Sequence, residues 1–167
     1  EPAQGWFANG NNDPNGVKIT NNPLGRQRVG GGSYYLRGIG YDGFRGARIA
    51  QVIKQKLAAK GKLTRADMKE VQSDNVLIDA QVFVPHIVQA MTNAKLTGAT
   101  PALAAFAKNP AVVAAVERLG SWDFSTPTGL KEGWDAGKPA GWEPTAAQVR
   151  ASTAATIYAA WRGQVLA

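Results

Sequence analysis

The strongest constraint on this chain is a change of pattern near residue 45. Eleven of the 19 Gly fall within residues 1–46, together with Asn9, Asn11, Asn12, Asn15, Asn21 and Asn22. Gly and Asn tolerate positive φ, and Asn side chains bond nearby backbone, so Asn12-Asp13-Pro14-Asn15-Gly16 and Gly30-Gly31-Gly32 are written for turns. Gly5-Trp6-Phe7-Ala8 and Val17-Lys18-Ile19 are expected as short strands between them. From Arg45 onward Ile49, Val52, Ile53 and Leu57 recur on one face while lysines fill the other, which predicts an amphipathic helix ending at Gly61. The expected fold is therefore mainly α with a few short strands near the N-terminus. A strand and loop region spans 1–44 and a helical region 45–167, as one domain or part of a larger one.

Caps place the later helices. Thr64 with Asp67 three residues on reads as a capping box opening a second helix, whose face would be Met68, Val71, Ile78 and Val82 and which should kink or stop near Pro85. Thr100-Pro101 and Asn109-Pro110 are N-cap plus Pro starts, the latter running to Leu119 with Gly120 as its stop. Residues 121–144, with Trp122, Trp134 and Trp142 among Gly and Pro, predict a long structured loop. Thr145 and Gln148 open a last helix expected to end at Gly163.

Composition removes whole classes of chemistry. The 167 residues include no Cys and one His, His86. Disulfides, thiolate nucleophiles and Cys-based metal sites are excluded, and a Ser-His-Asp triad would have to use His86. His86 lies in a helical apolar run beside Pro85 and is expected to be structural. No run of about 18 apolar residues exists, so no membrane span is expected, and residues 1–20 lack a signal-peptide profile. The start at Glu1-Pro2 suggests a processed or excised piece.

The net charge is +7, and residues 26–69 hold 11 basic residues against Asp42 and Asp67. Such a strip, with Tyr34, Tyr35, Tyr41 and Phe44, could serve an acidic partner or nucleic acid, while a solvated helix face is the ordinary explanation. Gly38-x-Gly40-x-x-Gly43 matches the dinucleotide fingerprint only as a string, since no buried strand precedes it and no acid follows about 20 residues on. Asp67, Glu70, Asp74 and Asp79 read as ordinary helix charges, with no metal expected. Asn9, Asn11 and Asn12 stand apart. Three amides after a Trp-Phe segment exceed one turn's needs, and a rigid Asn N–H can stabilise the oxyanion of an acyl-transfer intermediate, although an Asx-turn cluster is the plainer explanation.

These residues and their order resemble the β chain of penicillin-acylase-type N-terminal nucleophile hydrolases, a group that includes acyl-homoserine-lactone acylases. The resemblance covers nearly the whole length. It rests on Asn9-Gly10-Asn11-Asn12-Asp13-Pro14, on Tyr41-Asp42-Gly43-Phe44-Arg45-Gly46-Ala47-Arg48-Ile49, and on Leu63-Thr64, Asp67-Met68, Gln72 and Asp74 with Pro85 following. It continues through Leu119 to Asp123 and through Ser152, Tyr158 and Trp161.

The resemblance implies an amide hydrolase of αββα fold that releases a carboxylic acid and an amine through an acyl-enzyme on an N-terminal Ser. The Ser's own α-amine, with a pKa near 8, would act as base, so no His is needed. It implies Asn11 as side-chain oxyanion donor and Arg45 as the arginine orienting the site, with Asn9 and Asn12 flanking. Residue 1 is Glu, so the chain is expected to be an internal β-chain segment completed by an α chain and a Ser-bearing β segment of the same precursor. The resemblance puts no cofactor or metal on these residues and leaves room for calcium in the complete enzyme. It further implies a small acylated amide substrate (a β-lactam, acyl-homoserine lactone or lipopeptide), no nucleic acid, and a periplasmic or secreted location. A helical binding module using the basic strip, or a catalytically inactive acylase-like scaffold, are the other readings.

Overall fold

Caps written in the sequence set most of the helix starts. The computed structural model describes residues 5, 6, 8, 10, 44–130, 139 and 141–165. Its helices are α1 (Phe44–Lys60), α2 (Arg65–Ser73), α3 (Ile78–Ala94), α4 (Pro101–Lys108), α5 (Pro110–Gly120) and α6 (Ala146–Val165). Thr64 accepts from the Asp67 N–H at 3.2 Å while Asp67 accepts from the Thr64 N–H at 2.9 Å, closing the expected capping box. Asn109 accepts from the N–H groups of Ala111 and Val112. Thr145 and Gln148 exchange bonds of 2.8 and 3.2 Å. Each satisfies N–H groups that a helix start leaves without intrahelical partners.

Four expectations are corrected. No strand occurs among the described residues; Gly5 lies in a bend and Trp6 and Ala8 are outside any strand, while Phe7 lies outside the described residues. Val17–Ile19 lies outside the described residues. The extended pairing that does form is an isolated antiparallel bridge between Val76 and Ser125.

The single helix expected from Thr64 to Pro85 is two helices. Ser73 turns its hydroxyl back onto the carbonyls of Lys69 and Glu70, and Asp74 leaves the helix in extended conformation. The Asn75 carbonyl then accepts from Thr126, and the Leu77 N–H donates to the Phe124 carbonyl at 2.9 Å. Consequently the expected common face does not exist: Met68 is 41% and Val82 54% exposed. α3 instead runs through Pro85, which is exposed, so the missing rung faces water while Ala80, Val84, Met91 and Ala94 bury the other side.

α6 also continues past Gly163 to Val165, since a Gly without positive φ does not by itself end a helix. His86, finally, is exposed on α3 rather than packed inside.

The chain divides into two units, Glu1–Asp74 and Asn75–Ala167. In the first, α1 packs on α2. In the second, α3 packs on α4 and α5, and α5 on α6. The core of this unit is Ala80, Val84, Leu119, Trp122, Ala154 and Tyr158. Tyr158 is wholly buried; its ring centroid lies 5.8 Å from that of Trp122 and 5.7 Å from that of Trp161. Such pairs add roughly 0.5–1.5 kcal/mol beyond the area they bury. The Tyr158 hydroxyl donates to Asp79 at 3.1 Å, and the Arg162 guanidinium stands 2.8 Å from the same oxygen. Burial, reinforced by the Asp79 charge, pushes the Tyr158 phenol well above its ordinary range.

Candidate active site

Arg45, the second residue of α1, reaches back 35 positions in sequence. Its Nη2 and Nε donate to the Gly10 carbonyl at 2.8 and 3.2 Å. A cation bonding a neutral carbonyl in this way is worth about 1.5–3 kcal/mol. The approach is close: a Cβ on Gly10 would stand 2.6 Å from the Gly46 nitrogen and 2.8 Å from its Cα. The main chain at Gly10 is therefore laid directly on the first turn of α1, with Gly46 buried beneath it.

Gly10 is the residue between Asn9 and Asn11. The structure thus brings Arg45 to the peptide beside the expected oxyanion donor. Asn9, Asn11 and Asn12 themselves lie outside the described residues, as does Gly38-x-Gly40-x-x-Gly43.

The same first turns of α1 carry a second anchor that sequence reasoning did not find. Arg48 forks onto Asp74, Nε to Oδ1 at 2.8 Å and Nη2 to Oδ2 at 2.7 Å, and its Nη1 donates to Gln51 at 2.7 Å. The signal was present, because Arg48 and Asp74 are opposite charges in two separate motifs of one ordered set. At the far end of α1, buried Asp67 accepts from Lys60 at 2.6 Å, from the Thr64 hydroxyl at 2.6 Å and from Lys56 at 3.2 Å, while Lys56 also meets Glu70. The Lys60 bond first and those of Thr64 next hold the Asp67 carboxyl well below the usual carboxylate range. The Glu70 bond chiefly raises Lys56.

These contacts redraw the basic strip. Of its described cations, Arg45, Arg48, Lys56 and Lys60 bond within the fold, and Lys54, Lys62, Arg65 and Lys69 face solvent. The helix acids are likewise engaged: Asp67 and Asp74 with these cations, Asp79 with Tyr158 and Arg162. Among the described residues no group of three or more His, Asp or Glu side chains is arranged to hold a metal. Nor, among them, is any helix long and apolar enough to cross a membrane.

The remaining motif residues build the second unit. Leu119 and Trp122 are buried, and the Trp122 indole donates to the Ser125 carbonyl at 2.8 Å. Asp123 accepts from the Ser125 hydroxyl and N–H, bonds that lower its carboxyl. Ser152 sits under Gly129, where a Cβ would meet its Cβ at 2.3 Å. Two clefts open in this unit. One of about 480 Å³, lined by Met91, Leu103, Phe106, Val116 and Trp161 among others, is apolar. The other, of about 450 Å³, has Arg118, Asp123 and Arg150 on its walls.

Comparison with protein families matches the chain to the family described as penicillin amidase, over residues 1–167. No curated protein and no solved structure matches the chain.

Proposed function

The chain belongs to the penicillin amidase family, and from that premise we propose that it is a segment of an acylase that cleaves the acyl side chain of a small amide. The nucleophilic Ser belongs to another segment, which with an α chain from the same precursor completes an αββα fold. This chain supplies Asn11 as oxyanion donor and Arg45 as the residue that orients the site; Asn9 and Asn12 flank it.

The observation that carries this reading is the Arg45 fork on Gly10. Asn11 follows Gly10 directly, so its peptide begins at a carbonyl tied to a helix terminus by two bonds. Oxyanion stabilisation depends on donors fixed before the charge develops, which is what such a tether provides.

In this scheme the Ser hydroxyl attacks the amide carbon and its proton passes to the Ser α-amine. The carbonyl oxygen becomes an oxyanion that the Asn11 side-chain N–H meets. The α-ammonium returns the proton to the leaving nitrogen as the C–N bond breaks, and water then hydrolyses the acyl ester to the free acid. A β-lactam, an acyl-homoserine lactone and a lipopeptide all offer this bond. A periplasmic or secreted location, precursor processing and a calcium ion elsewhere in the complete enzyme go with the same reading.

The test is Asn11→Ala in the complete precursor, assayed on acyl-p-nitroanilides of graded chain length. A kcat lower by about 10²–10³ is expected. A loss under about tenfold excludes the oxyanion role, and no turnover by the unsubstituted protein would favour an inactive scaffold.

A further inference from the structure

Helix α1 is fastened by two separate sets of charges, and only one lies on the turns that carry Arg45. Arg48 follows Arg45 by three residues, so the two side chains are neighbours on the helix surface. Its fork on Asp74 is bidentate, and the two side chains are only 17% and 19% exposed. A bidentate guanidinium–carboxylate pair fixes direction as well as distance. Asp74 is the C-cap residue of α2, with extended backbone, so the fork ties the first turns of α1 to the end of α2. The pair therefore sets the rotation of α1 about its own axis.

We propose that Arg48 and Asp74 are positioning residues, which hold the first turn of α1 so that Arg45 stays on the Gly10 carbonyl. The inference rests on the acylase reading above. A guanidinium some 6–7 Å from the helix axis moves by about 1 Å when the helix rotates by roughly 10°. Displacements of that size can lower a rate about 100-fold. The Asp67 cluster, farther along the same helix, joins α1 to α2 just as firmly but bonds nothing on the turns that bear Arg45. It separates positioning from mere stability.

The experiment uses the intact protein that contains this chain, with kcat and KM measured on its best acyl-p-nitroanilide, well below the unfolding midpoint of every variant. Asp74→Asn and Arg48→Lys should each lower kcat by roughly ten- to a hundredfold with KM within about twofold. Asp67→Asn should lower the unfolding midpoint and leave kcat within about twofold. The Arg45 Nε–H resonance in 15N NMR should shift in Asp74→Asn and stay in place in Asp67→Asn. Arg48→Lys keeps the charge and loses the fork, and decides the matter if Asp74→Asn does not fold. Unchanged kcat in both site-side variants, or an equal fall in Asp67→Asn, overturns the proposal. If Asn11→Ala lowers kcat by about 10²–10³ and these variants leave it unchanged, only the positioning role fails. If Asn11→Ala is fully active, the acylase reading fails, and the Arg45 resonance still reports whether the pair holds that contact.

Discussion

Among the described residues, the large side chain most completely removed from solvent in the unit that ends at Asp74 is a carboxylate, Asp67; in the unit that begins at Asn75 it is a phenol, Tyr158, packed between indoles. The first unit joins its helices through Lys56, Lys60 and Arg48 on acids of α2 and its cap. The second joins α3, α5 and α6 through Ala80, Val84, Leu119, Trp122 and Ala154. Apolar burial is non-directional and tolerates sliding, whereas forked ion pairs fix angles at modest net stability. The charged unit is suited to placing atoms, the aromatic one to supplying stability.

That contrast can be broken most forcefully in the aromatic unit. Trp122→Ala should cost about 3–5 kcal/mol, read as the fall in denaturation free energy, because it empties space beside Tyr158 and Phe124. A cost near 1 kcal/mol would mean that this core is not what holds the unit together. Tyr158→Phe is milder, about 1–3 kcal/mol, since it keeps the ring and removes one bond to a charged acceptor.

The smallest effect is sought in the charged unit by titration. Because Asp67 titrates below its unfolded value of about 3.9, its contribution is complete above that pH and fades as the pH falls through the lower folded value. Lys56 has the opposite sign: its contribution is complete below about 10.4 and is lost as the pH rises through its raised value. The protection factors of amides within α1 and α2, taken against the unstructured exchange rate at each pH, should therefore be constant between these limits. A protection factor already declining near pH 6 would show that the ion pairs do not govern the packing of α1 on α2.

Local signals in the sequence found what local physics determines. Thr64, Asn109 and Thr145 opened their helices where capping chemistry required, and the apolar face of α1 was legible from Ile49, Val52 and Ile53. The break at Asp74–Leu77 was not, because it depends on partners distant in sequence: Thr126 on Asn75, 51 residues away, and Phe124 on Leu77. The tolerance of Pro85 is illegible for a related reason, since it depends on which side of α3 faces water. At the site, Arg45 was reached by resemblance, while the contact that gives it meaning required two glycines 36 positions apart to lie against each other. Nothing in periodicity reports that approach.

Phe124 adopts φ 64, the left-handed region that side-chain-bearing residues seldom enter. Two opposing quantities meet there: backbone strain of order 1–3 kcal/mol, and a ring whose centroid lies 5.5 Å from that of Trp122. Glycine would relieve the first and forfeit the second, leaving little net change, whereas valine would suffer on both counts. Mutability at this corner is thus governed by a near cancellation, so hydrophobicity alone will rank its substitutions in the wrong order.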